Sequence, residues 1–223
     1  MSRRGGRTTI PGFPRWGFDR RRRISARKVT MSPQADEQRA ARPAPATREE
    51  LVAALYELFR RHGYDGVSLA DISAATGLGK SSLYHYFPDG KPDMAEAVGA
   101  FALGAMRSKV FEPLAADAPL SAKISAMLTT ASAMYEGGAA PCLVAAMLPS
   151  GAADAPVRAI IAEWIDALAG ALRSAGVKPA QARGRAVDAI VALEGALIVA
   201  QATGDPSVFA KTASRLKASL SKP

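Results

Sequence analysis

Cysteine is nearly absent from this chain of 223 residues. Cys142 stands alone, so no intramolecular disulfide framework is possible and a reducing compartment is the natural setting. There are only two histidines, His62 and His85, and no His/Cys cluster at metal-ligand spacing, so no metal site is expected. No glycine-rich phosphate loop is present and the lone thiol has no histidine near it in sequence, so neither a cofactor nor catalysis is indicated. Aromatic residues make up 6% of the chain while apolar residues make up 48%, a balance that suits a helical protein rich in Ala and Leu. No apolar run approaches the roughly 20 residues of a membrane span. The arginine-rich start lacks the apolar core of a signal peptide, so no membrane association and a cytoplasmic location are expected.

Charge of one sign is also missing once the charges are located. The net charge is +9, but residues 1–30 hold ten basic residues against the single acid Asp19. The remaining chain carries 19 basic and 19 acidic residues and is neutral. Bulk charge therefore gives no argument for nucleic acid, and any such case rests on local placement. Residues 1–46, rich in Arg, Pro, Gly and Ala without periodicity, read as a disordered basic N-terminal extension. Two readings of residues 1–30 stand side by side. They form an arm adding phosphate contacts, or they lie upstream of a true start at Met31.

Order begins at Thr47, which forms a capping box with Glu50. Leu51, Leu55, Leu58 and Phe59 then recur at helical spacing, and Gly63 and Gly66 turn the chain. Ser68 caps a second helix with Asp71 three residues on, and Leu69 and Ile72 point inward. Ser73 is small where two helices must approach, and Gly77 suits a left-handed turn. A third helix follows, packed by Leu83 and Phe87. Two short helices around Gly77-Leu78-Gly79 make a helix-turn-helix, whose second helix enters the DNA major groove.

Pro88-Asp89-Gly90 ends that unit and Pro92 suits the first turn of the next helix, marked by Met94, Val98, Phe101 and Ala105 and stopped near Pro113. Ile124 to Tyr135 mark another, ended by Gly137-Gly138, and a short apolar piece spans Cys142–Leu148. Asp154 caps a helix carrying Val157, Ile160, Trp164, Leu168 and Leu172. A long helix is expected from about Pro179 to Thr203, and a last one carries Phe209, Thr212, Leu216 and Leu220. No strand pattern and no repeat is present. The fold expected is all-α: a three-helix head and a helical-bundle body.

The run Asp71-Ile72-Ser73-Ala74-Ala75-Thr76-Gly77-Leu78-Gly79-Lys80-Ser81-Ser82-Leu83-Tyr84-His85-Tyr86-Phe87 resembles the recognition motif of TetR-family transcriptional regulators. Pro88-Asp89-Gly90-Lys91, Ala140-Pro141-Cys142-Leu143, Glu194-Gly195-Ala196-Leu197 and Gly204-Asp205-Pro206 resemble, more loosely, a subgroup typified by lincomycin-resistance repressors. Three positions depart from the usual motif. Ser73 replaces Ala, Gly79 replaces a Ser cap, and Ser81 replaces Gly, and each bears on which operator is read.

The domains expected are thus 1–46 as the extension, 47–95 as the DNA-binding head and 96–223 as a ligand-binding and dimerisation body. Ser68 and the N–H groups behind it can hold a phosphate at a helix N-terminus. Lys80, Ser81, Ser82 and His85 are candidates for base edges. The resemblance implies phosphate contacts for Tyr84 and Lys91, and a dimer built by the last two helices, where Ala189, Ala192, Gly195 and Ala196 allow close approach. Phe101, Met127, Met134, Trp164 and Leu168 are candidate effector-pocket lining, although such a stripe also reads as plain core. Glu194, a carboxylate in an apolar run, is a candidate ligand contact, with a place across the dimer interface or facing water as the alternatives. The function expected is a homodimeric, ligand-responsive regulator, a repressor in the first instance. Its partners would be double-stranded operator DNA and a small apolar or amphipathic effector. The alternative is a helical ligand-binding or adaptor protein without DNA binding.

Overall fold

A computed structural model describes residues 47–222. The expected extension over 1–46, with both of its readings, lies outside the described residues. Helix α1 (Arg48–His62) opens on the capping box: the Thr47 hydroxyl accepts from Glu50 N at 3.2 Å, and the Glu50 carboxylate accepts from Thr47 N at 2.9 Å. Leu51, Leu55 and Phe59 are buried in the head as their spacing requires. A second buried stripe, Val52, Tyr56 and Arg60, turns toward the body, where the Tyr56 ring meets Phe101 edge-on at 5.8 Å.

Helices α2 (Leu69–Thr76) and α3 (Lys80–Tyr86) follow, separated by Gly77 at φ 70°. Helix α4 (Lys91–Met106) carries the chain from head to body without a break at residue 95. It packs against the start of α8 (Asp154–Ser174) at Gly99, where a methyl group would sit 2.8 Å from Pro156 Cγ and 3.1 Å from Ala153 Cβ.

Pro113 does not stop this helix, contrary to expectation. A π turn over Arg107–Phe111 leads directly into α5 (Glu112–Ala115). The wide turn hands the Glu112 N–H back to the Arg107 carbonyl, so the helix passes a residue that has no N–H to give. The start of α8 also differs. The cap position is Ala153, held at φ 52°, while Asp154 is the first helical residue and accepts from Arg158 Nε at 2.6 Å.

The body is completed by α6 (Leu120–Met134), α7 (Leu143–Met147), α9 (Pro179–Thr203) and α10 (Ser207–Leu220). Phe209, Thr212 and Leu220 are buried on α10, with Leu216 half-buried. Helix α9 is long and apolar enough, by length and composition, to cross a membrane, which corrects the expectation that no such segment exists. It packs between α8 and α10 and carries Asp188 and Glu194 within its apolar run. One apolar core runs from Leu51 in the head to Leu220 in the last helix, and no strand occurs among the described residues.

Candidate nucleic-acid interface and body cavity

Helix α3 is held by Leu83 and by Phe87 just past its end, both buried. With that face fixed, Lys80, Ser81, Ser82, Tyr84 and His85 are all exposed on the remainder. Tyr86 is half-buried, and its ring meets His85 edge-on at 5.5 Å. The chain then turns through Gly90 at φ 71°. A methyl group there would lie 3.1 Å from Tyr84 Cε1, so glycine provides both the left-handed turn and the room for the tyrosine ring. Lys91, the first residue of α4, lays its ammonium over the Tyr64 ring at 4.1 Å.

Ser68 is more occupied than a free phosphate anchor. Its hydroxyl accepts from Asp71 N at 3.2 Å and donates to Asp71 Oδ2 at 2.6 Å; this last bond, with one from the Ser68 N–H to the same oxygen at 2.8 Å, holds the Asp71 carboxyl below its usual range. The head's acids are largely engaged in this manner. Glu50 and Asp71 serve capping boxes, Glu57 pairs with Arg60 and Arg61, and Asp93 accepts from the Asp89 N–H. Helix α3 itself carries Lys80 and no acid.

In the body, a narrow cavity of about 20 Å³ lies between α1, α4, the end of α6, α7 and α8. Phe101 and Met134, of the expected pocket residues, line it. Phe101 also lines an open groove of about 590 Å³ beside Arg48, Glu49 and Asp93. Met127, Trp164 and Leu168 are buried core outside the cavity wall. Tyr56, Met106, Tyr135, Cys142 and Ile160 also line it, although along their own helices they read as core rather than as pocket. Glu194, half-buried on α9, stands behind that wall: the Tyr135 hydroxyl donates to Glu194 Oε1 at 3.3 Å and lies 3.9 Å from Cys142 Sγ. Burial pushes the Glu194 carboxyl up, partly offset by hydrogen bonds from Cys142 and Tyr135. Burial also pushes the Cys142 thiol up to about 12 and holds the Tyr135 hydroxyl well above its ordinary value.

Head and body meet at Arg60, which is 3% exposed. Its guanidinium donates to the Met134 carbonyl at 3.1 Å, to Glu57 at 2.7 Å and to Glu136 at 3.2 Å, and lies over the Tyr56 ring at 5.6 Å. Tyr56, Met134 and Tyr135 are cavity wall, so the cavity and the Arg60 junction share the turn at the end of α6. The sequence carries one signal for this: Arg60 follows Val52 and Tyr56 at spacings of four on an inward stripe.

A bundle whose N-terminal three helices present a packed helix-turn-helix, joined through one long helix to a larger helical body, defines a helix-turn-helix transcriptional regulator. Residues 51–98 match the family described as bacterial regulatory proteins, tetR family, and residues 144–215 match the C-terminal domain of LmrA/YxaF-like transcriptional regulators. The chain belongs to the TetR family. It is 43% identical over 53 residues to the HTH-type transcriptional regulator LmrA of Bacillus subtilis (strain 168), and 42% identical over 53 residues to YxaF of the same strain. These matches cover 23% of this chain and 28% of each relative. The fold matches a TetR regulator from Legionella pneumophila with TM-score 0.70 and 20% identity, over 79% of this chain and 98% of that one. A TetR-family regulator from Agrobacterium tumefaciens gives TM-score 0.67 and 21% identity, over 78% and 96%.

On α9, Ala189 and Ala196 are buried within the protomer. The outward face instead carries Val187, Val191 and Ile198, the last two 65% and 61% exposed, with Gly195 among them. That is a stripe of apolar side chains at helical spacing.

Proposed function

We propose that this chain is a homodimeric, effector-responsive regulator, a repressor in the first instance. It would act from a cytoplasmic location, with residues 47–95 as the head that reads operator DNA and 96–223 as the body. The exposed set Lys80, Ser81, Ser82, Tyr84 and His85 on a helix held from beneath carries this reading. Tyr84 and Lys91 would position the backbone, and Lys80, Ser81, Ser82 and His85 would meet base edges. Ser68 would add a phosphate contact through its hydroxyl or the N–H groups of α2. The alternative, a helical ligand-binding or adaptor protein, lacks a use for this face.

One head covers too little DNA for tight specific binding, and two heads about 34–36 Å apart meet successive major grooves. The exposed stripe on α9 is the surface that a second copy would cover. Phe101 and Met134 would contact an apolar effector directly, and Met127, Trp164 and Leu168 would form the packed layer behind it. Effector binding must favour the state that does not bind DNA, and DNA must then weaken effector binding by the same factor.

Fluorescence anisotropy on fragments of the protein's own promoter, across a salt series, tests the proposal. Tyr84→Phe and Lys91→Ala should weaken all fragments alike, with Lys91→Ala lowering the salt slope by about 1. Lys80→Ala should change the order of preference among fragments. Binding that is flat with salt and untouched by all three substitutions would favour the adaptor reading.

A further inference from the structure

The body cavity has an unusual charge arrangement. Tyr56, Phe101, Met106 and Met134 give it aromatic and thioether walls. Tyr135 and Cys142 close one side, and both hydrogen-bond to Glu194 behind them. No lysine or arginine among the described residues pairs with this carboxylate. Arg60 and Arg61, which reach the turn after α6, are already engaged by Glu57 and Glu136. Besides the water that reaches this half-buried group, only a neutral hydroxyl and a thiol offset its charge, and withdrawing a carboxylate from water without a counter-charge is costly. Aromatic ring faces attract cations, and methionine adapts to irregular apolar bodies.

We propose that this cavity receives an organic ammonium ion, its nitrogen drawn to Glu194 between Tyr135 and Cys142 and its apolar body against Tyr56, Phe101 and the two methionines. The inference rests on the cavity being the effector site and adds the ligand's charge and class. At about 20 Å³ the cavity has room for one water, so entry requires the wall to give way. Unbranched Met106 and Met134 are the side chains suited to move. Displacing Met134 and Tyr135 would disturb the turn that holds Arg60, which gives the ligand a route to the head.

The test uses the full chain and three probes of matched shape: 4-phenylbutylamine, 4-phenylbutanol and 4-phenylbutyrate. Calorimetric titration at pH 7 is paired with release of a promoter fragment. The amine should bind at least tenfold more tightly than the alcohol, and the carboxylate more weakly than either. Glu194→Gln should bring the amine down to the alcohol's level and leave the alcohol unchanged. Tyr135→Phe, which keeps the carboxylate and removes one neutral donor, should bind the amine at least as tightly as the parent protein.

Equal binding of amine and alcohol, an amine preference that survives Glu194→Gln, or weaker amine binding by Tyr135→Phe overturns the ammonium assignment and leaves the cavity as effector site. Ala105→Trp sets an indole much larger than the cavity against its wall and blocks entry, and promoter binding without any probe shows that the variant folds. Undiminished amine binding by that variant, or no binding of any probe by the parent protein together with an unaltered promoter response in Ala105→Trp, overturns both.

Discussion

Replacing Arg60 with methionine keeps much of the buried aliphatic volume and removes all of that residue's polar contacts between head and body, leaving the exposed Arg61–Glu136 pair at 3.4 Å in place. The pairs with Glu57 and Glu136 are not worth what a fully buried pair would be. Those carboxylates are 36% and 54% exposed and regain water when the guanidinium leaves, so the roughly 3–5 kcal/mol cost of an orphaned buried charge does not apply. What is lost outright is a charge-assisted hydrogen bond to the Met134 carbonyl, about 1.5–3 kcal/mol, and the contact with the Tyr56 ring, about 0.5–1 kcal/mol. Part of this returns because methionine needs no desolvation of a charge, leaving a net loss of about 2 kcal/mol. For a body of this size, that lowers Tm by about 4–8 °C in calorimetry. Because Arg60 ties α1 to the turn that forms the cavity wall, operator affinity should fall as well. A loss of about 2 kcal/mol sets a limit of about thirtyfold. An unchanged Tm would mean the buried bonds contribute nothing. A lowered Tm with operator affinity fully retained would make Arg60 a packing residue with no part in holding the head.

Gly90→Ala forces a side chain onto a left-handed turn and against Tyr84, so promoter binding should weaken while the body's far-UV circular dichroism stays unchanged. Retained affinity would show that Tyr84 is not needed in that position. Val191→Asp combined with Ile198→Asp places charges on the outward face of α9. Light scattering after size exclusion should then show monomers that no longer bind the operator, and persistent dimers would place the interface elsewhere. Below its raised pKa the Cys142 thiol is almost wholly protonated, with thiolate falling tenfold for each pH unit. Its reaction with Ellman's reagent at pH 8 should be at least a hundredfold slower in the native protein than in urea, whereas prompt native labelling would mean an open, ionised thiol.

Local signals in the sequence located the head well. Thr47 with Glu50 and Ser68 with Asp71 are reciprocal caps whose geometry depends on neighbours three residues apart, so they are readable without tertiary structure. The outward set on α3 follows from the inward placement of Leu83 and Phe87. The cavity was harder to read. Its wall draws on α1, α4, α6, α7 and α8, and each contributor looks like ordinary core along its own helix. Arg60 was passed over because a charge in the last turn of a helix normally faces water and the helix dipole. On α9, apolar residues occupy both faces. Small size alone marks Ala189, Ala192, Gly195 and Ala196 for close helix approach, while the protomer buries Ala189 and Ala196 and leaves Val191 and Ile198 outside. Pro113 and Asp154 misled for a related reason, since a π turn and a left-handed alanine are backbone solutions with no side-chain signature.

The close contact at Gly99 has a mechanical consequence. A helix pinched at Gly99 would pivot there rather than slide, because Pro156 and Ala153 leave no slack on that side. At 1.5 Å per residue, the arm from Gly99 to Lys91 is about 12 Å and the arm to Met106 about 10 Å. Such a lever has nearly equal arms. Motion imposed at the cavity end would arrive at Lys91 reversed in direction and almost undiminished in size, and in a dimer the two heads would each carry it. Bulk added at residue 99 would shift the fulcrum itself and change the resting separation of the heads before any ligand arrives.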